Sequence, residues 1–144
     1  MGWLFDDLCN RRVLRIAATG MITLSDHAQL VHDVCVQGCR RGAPRAFLLD
    51  LREAILAMSV RDLYRLPELN RHLGLSGDER VALLFSDEST LDARLYEARA
   101  KALGLDHRVF TDSGDALGWL STQAGARWHC EAAGSRPTGL PLQC

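Results

Sequence analysis

Long apolar runs are missing from this chain of 144 residues. No segment approaches the roughly 20 consecutive apolar residues that a membrane-spanning helix requires, so no transmembrane segment is expected. The first eight residues carry Asp6 and Asp7, where a secretory signal needs an unbroken apolar stretch. A cytoplasmic protein is the expectation. An excess of charge is missing too: 17 Lys and Arg, nearly all arginine, stand against 18 Asp and Glu, for a formal net charge of −1. Nucleic-acid recognition needs a clustered basic excess, so no nucleic-acid partner is expected. The Arg11-Arg12 and Arg40-Arg41 pairs are local and read as solvated cations at a turn and a helix end.

Chemical motifs are equally sparse. No Gly-x-Ser-x-Gly elbow presents a nucleophile, and no glycine-rich phosphate loop or dinucleotide fingerprint follows a candidate strand. His27 and His32 are five apart, a poor spacing for joint metal ligation, and His72 and His107 stand alone as surface or hydrogen-bonded histidines. Of the five cysteines, Cys35 and Cys39 share a helix face with Val31, but nothing nearby completes a ligand set. They read as reduced thiols serving as small hydrophobes. His129-Cys130 is too little for a ligand pair. No catalytic residue, no metal and no cofactor are expected; an enzyme would need a site assembled from distant residues.

What the chain does have is two short, wholly apolar runs, Ala46-Phe47-Leu48-Leu49 and Val81-Ala82-Leu83-Leu84-Phe85, each introduced by arginine. A strand with one wet face alternates apolar and polar residues, and these do not. Such runs suit strands buried on both faces of a largely parallel sheet. Hydrophobic content of 47% is ample for one core, and the length suits one domain.

Around those two runs the other elements fall into place. Trp3 to Cys9 forms a first strand, Asn10-Arg11-Arg12 a turn, and Val13 to Ala17 a second strand, antiparallel to the first because the connection is short. Ser25 is the expected cap of a first helix, with Leu30, Val31, Val34, Cys35 and Gly38 as its apolar stripe. Pro44 leads into the third strand, Arg45 to Asp50. Ser59 and Asp62 have capping-box spacing ahead of a second helix, in which Pro67 marks a kink or a new turn. Gly74 and Gly77 end that stretch before the fourth strand, Arg80 to Phe85. Ser86 to Ser89 caps a third helix, where Leu91, Leu95, Ala98, Ala102 and Leu105 form the expected core stripe and Arg94, Glu97 and Lys101 face away. A fifth strand, His107 to Thr111, precedes a last helix capped by Asp112 or Ser113. Periodicity ends at Gln123, which predicts one α/β domain over residues 1–123 and a flexible tail over 124–144, with Trp128 docking locally.

The Gly20-to-Asp26 passage, the strand end Leu48-Leu49-Asp50-Leu51-Arg52, and Arg108-Val109-Phe110 followed by Asp115-Ala116-Leu117-Gly118-Trp119-Leu120 occur here in that order. Together this pattern, spanning Trp3 to Gln123, resembles the SpoIIAA-like proteins, also described as STAS/CRAL-TRIO-like domains. The resemblance implies a mixed, mostly parallel five-stranded sheet with flanking helices, and often a homodimer. Relatives with this fold include anti-sigma-factor antagonists that bind a protein kinase partner, while CRAL-TRIO relatives hold lipids in an apolar pocket. The phosphoacceptor of the antagonists lies in an Asp-Ser-Ser/Thr-Gly-Leu motif. Here the corresponding stretch is Ala57-Met58-Ser59-Val60-Arg61, which keeps Ser59 and lacks the Asp, the second hydroxyl and the Gly.

Ligands of open α/β sheets sit beyond the carboxyl ends of the strands. Those ends offer Asp50 with Arg52, Ser86 with Asp87, and Thr111 with Asp112. A flexible loop from Glu53 to Met58 would bring Ile55, Leu56 and Met58 over a pocket, against a partner, or down onto the core. Two readings stand. One is a non-enzymatic binding or regulatory module for a small apolar or acidic ligand, a lipid, or a protein partner. The other is a phosphorylation-dependent regulator, with Ser59 as acceptor or merely as helix cap and Arg52, Arg61 and Arg65 at the contact face. An uncharacterised enzyme ranks third.

Overall fold

The structure is a computed structural model that describes residues 1–42, 46–73, 78–87 and 90–122, with the side chains of residues 90–92 left aside. The expected tail 124–144, with Trp128, His129, Cys130 and Cys144, lies outside these residues, as do Pro44, Arg45, Gly74, Gly77 and Ser89. Nine elements follow one another: β1 Gly2–Leu8, β2 Val13–Ile22, α1 Leu24–Arg40, β3 Ala46–Leu56, α2 Val60–His72, β4 Arg80–Leu84, α3 Thr90–Ala102, β5 Asp106–Phe110 and α4 Ser113–Leu120. The strands form one sheet in the order β1-β2-β3-β4-β5. β1 runs antiparallel to β2, and every other neighbouring pair is parallel.

The two apolar runs lie where their composition requires. Phe47, Val81, Leu83 and Phe85 join Leu14, Ile16 and Val109 in a large core shared with α1, α2 and α3. Ala46, Leu48, Ala82 and Leu84 face the other way, into a smaller core with Ala116, Leu117 and Leu120 of α4. Alternate residues of one run thus serve two cores, which is why neither run alternates in polarity. Arg80, at the start of β4, ties the smaller layer down. Its guanidinium lies 4.6 Å from the centre of the Trp119 ring and donates to the Trp119 carbonyl at 2.9 Å.

Several local expectations change. The N-cap of α1 is Thr23, paired with Asp26 in a reciprocal capping box, and Ser25 lies exposed within the first turn. β3 runs to Leu56, so the expected Glu53-to-Met58 loop is mostly strand, held by pairing with Thr19 to Ile22. Pro67 sits buried inside a continuous α2. The buried stripe of α3 is Ala93, Tyr96 and Ala100, whereas Ala98 and Ala102 are exposed and Leu95 is half-buried. Ala93, Tyr96 and Ala100 join the larger core through that face. Glu97 consequently turns inward, and its carboxylate accepts the Val109 N–H at 2.6 Å on the sheet's edge strand. Cys9 and Cys39 are each disulfide-bonded, which overturns the reading of Cys39 as a reduced hydrophobe. It occupies the last turn of α1, half-buried, where it is not under the packed stripe. Cys35 is a free thiol, and burial raises its pKa with help from Glu79.

Candidate functional site

A cavity of about 70 Å³ lies in the larger core, between the sheet and helices α1, α2 and α3. Its wall is almost wholly apolar, built from residues such as Leu30, Leu56, Leu63, Leu66 and Leu83. Set into that wall are four polar side chains from four different elements: His27 of α1, Asn70 of α2, Tyr96 of α3 and His107 of β5. Each is buried. Each occupies the inward position of its element: His27 precedes Leu30 and Val31 by three and four residues, Asn70 follows Leu66 by four, and His107 is two before Val109.

These four groups form one continuous chain of hydrogen bonds. Nε2 of His27 is 2.6 Å from Oδ1 of Asn70, Nδ2 of Asn70 is 3.1 Å from the Tyr96 hydroxyl, and that hydroxyl is 2.8 Å from Nδ1 of His107. A carbonyl oxygen only accepts, so the proton of neutral His27 sits on Nε2. The Tyr96 hydroxyl accepts the Asn70 N–H and donates its O–H to Nδ1 of His107, leaving the His107 proton on Nε2. The chain therefore has one direction, and its amide link orients the rings without relaying protons. The Tyr96 and His107 rings also stack, with centroids 5.8 Å apart.

The Asn70 amide carries no charge, and burial favours the neutral forms of His27, His107 and Tyr96. It pushes His27 below its ordinary pKa, although the Asn70 hydrogen bond opposes that shift. It lowers His107 to about 4, against the pull of Glu79 and Asp106. The Tyr96 phenol is raised by the same desolvation, so it stays protonated. A charge-free polar chain in an apolar wall can fix the orientation of a ligand. Among the described residues, no group of three His, Cys, Asp or Glu side chains could hold a metal ion.

The residues singled out from the sequence fall in three places. Leu56 lines the cavity, and half-buried Met58 packs against the same core. Asp50 and Arg52 lie on the opposite face, near a register shift where Ala17 pairs with Asp50 but Thr19 with Glu53. Buried Asp50 accepts from Arg15 at 2.9 Å and from Arg52 at 3.0 and 2.8 Å; the Arg52 backbone N–H adds a bond at 3.2 Å. Burial alone would raise the Asp50 pKa, yet the hydrogen bonds from Arg52 and Arg15 outweigh it and hold the carboxyl at about 2. The remaining positions sit at the carboxyl edge of the sheet. Ile55 and Arg61 are exposed, Ser86 is half-buried, and Asp87 is exposed. A surface groove of about 310 Å³ runs nearby, lined by Leu24, Asp62, Arg65, Glu68, Leu69 and His72, but it carries charges of both signs and no buried polar group.

Ser59 is the exposed N-cap of α2: its Oγ accepts the Asp62 N–H at 3.1 Å, and the Asp62 carboxylate accepts the Ser59 N–H at 3.4 Å. Ser59→Ala is expected to lower stability by about 1 kcal/mol through loss of this cap. A urea midpoint unchanged within error would show that the box adds nothing.

His27, Asn70, Tyr96 and His107 were not assembled from the sequence. The usable signal was a polar residue on an otherwise apolar stripe, visible at position 70 and hidden at 96 by the misplaced α3 stripe.

No family model matches the chain, and no curated protein matches it. Two solved structures are similar in fold. One is an uncharacterised protein of the DUF3478 family with a SpoIIAA-like fold, from Shewanella loihica; it is 22% identical, with 75% of this chain and 83% of that one covered at a TM-score of 0.49. The other is the anti-sigma factor antagonist SpoIIAA in its unphosphorylated form, 11% identical, with 85% of this chain and 100% of that one covered at a TM-score of 0.51. The five-stranded mixed sheet with four helices is a SpoIIAA-like fold.

Proposed function

We propose, from a SpoIIAA-like fold with a polar chain set into an apolar cavity, that this chain is a binding module for a small, mostly apolar molecule, acting without turnover. The carrying observation is the continuous bonding of His27, Asn70, Tyr96 and His107 along one wall of that cavity. Buried polar groups cost stability unless they are satisfied, and a half-satisfied network is worse than an apolar core. Four such groups from four elements, all lining one space, have a simple purpose if they orient a guest. Ligand sites commonly pair a largely apolar wall with a few convergent polar groups.

Xenon titration followed by methyl chemical shifts tests this reading, since xenon is small enough for a cavity of about 70 Å³. Shifts are expected at Leu30, Leu63, Leu66 and Leu83. Leu56→Glu, which sets an uncompensated carboxylate at the cavity wall, is expected to weaken xenon binding by about tenfold or more. Shifts scattered over the surface, or an unchanged affinity in that variant with its fold intact, would overturn the proposal. Mass spectrometry of the protein under native conditions would then identify a natural occupant.

A second reading, with Ser59 as a phosphoacceptor, draws on its exposed place at the start of α2, where the helix dipole favours an anion. Its bearing on partner choice is separable, because Ser59 does not line the cavity.

A further inference from the structure

The cavity wall contains no Asp, Glu, Lys or Arg side chain among its described lining residues. Its polar groups are an amide, a phenol and two imidazoles, and each keeps hydrogen-bonding capacity beyond the bonds of the chain. Asn70 has a second amide N–H and a second carbonyl lone pair, His27 has the Nδ1 lone pair, and the Tyr96 oxygen can accept once more. Donors and acceptors thus lie side by side without charge. We infer that the cavity selects a small neutral alcohol, held at Asn70 and Tyr96, and that it rejects carboxylates.

The inference rests on the binding reading above and narrows its ligand class. A hydroxyl both donates and accepts, so it matches a wall that presents both functions. A carboxylate only accepts, and it brings a charge that nothing in the lining compensates. Burying an unpaired ion is far costlier than burying a hydrogen-bonded hydroxyl. Desolvation also keeps both imidazoles uncharged near neutral pH, so neither supplies a counter-ion. The small acid that the sequence left open as a ligand therefore does not suit this cavity.

Ethanol, propane and acetate are each small enough for a cavity of about 70 Å³ and separate the cases. At pH 7 the full chain is titrated with each, reading the methyl shifts of the cavity leucines and a dissociation constant. Ethanol is expected to bind at least about 100-fold more tightly than acetate, given the cost of an unpaired buried charge. Asn70→Leu is expected to weaken ethanol by about tenfold while changing propane less than twofold. Should that variant not fold, Tyr96→Phe, which removes one hydroxyl, provides the same comparison. Acetate binding as well as ethanol, or a variant that weakens ethanol and propane alike, would overturn the hydroxyl inference and leave the binding module standing. If none of the three enters the cavity, the binding reading itself falls, and this inference falls with it.

Discussion

Replacing Asp50 by alanine will destabilise the chain by about 3 kcal/mol, the lower end of what breaking a buried ion pair from one side costs. Asp50 is 5% exposed in the middle strand of the sheet, and both of its oxygens are in use. Alanine would strand Arg15, whose side chain is 22% exposed and whose other ion-pair partner among the described residues is Asp6 at 2.8 Å. Arg52 is more open and can turn toward water, so the loss stays below the upper end of the range. Urea unfolding at pH 7 reads the effect. A loss under about 1 kcal/mol would mean that the two guanidinium groups do not depend on the carboxylate. The same group sets a pH window. Its folded pKa lies below the ordinary carboxylate value of 3.8, so its contribution is complete above that value and fades as the pH falls toward 2.

Acidification will act earlier, through the cavity histidines. His107 has a folded pKa of about 4 against an ordinary value of 6.5, and His27 shifts in the same direction. Between those values the unfolded chain binds a proton that the folded chain does not. Stability is therefore highest above pH 6.5 and falls continuously as the pH drops through 5 to 4. His107 alone accounts for about 3 kcal/mol across that window, at 1.36 kcal/mol per pKa unit. His27 adds to the loss. Denaturant midpoints at pH 7.0, 5.5 and 4.5 would trace it, and His107→Phe should flatten most of the slope. A midpoint constant from pH 7.0 to 4.5 would show that neither imidazole is held neutral by the fold. Because Asp50 responds only below about pH 4, the two effects occupy separate windows.

The buried acid and the buried imidazoles differ in how far they were legible from the residues. Asp50 stood out at the end of an apolar run, and its place on β3 follows from that run. Its partner Arg15 did not stand out, because it lies 35 residues away and meets Asp50 only across the β2–β3 pairing. His107 was read as isolated or satisfied, and His27 only as poorly spaced from His32 for joint metal ligation; both readings miss the chain that joins the two. Tyr96 was hidden for a different reason. Leucines in α3 suggested one face, whereas close packing through Ala93 and Ala100 selected another.

By itself, the sequence determined the element order, the antiparallel first hairpin, the capping box at Ser59 and Asp62, and the sandwiching of two apolar runs between helices. These depend on local propensity and on hydrophobic periodicity, which are properties of neighbouring residues. Tertiary structure alone decided the continuation of β3 through Leu56, the face of α3, and the meeting of His27, Asn70, Tyr96 and His107 around one cavity. Contacts of that kind join residues up to 43 apart, as between His27 and Asn70. No periodicity within a helix or strand encodes a distance between two of them; that distance is set only when their apolar faces close on a common core.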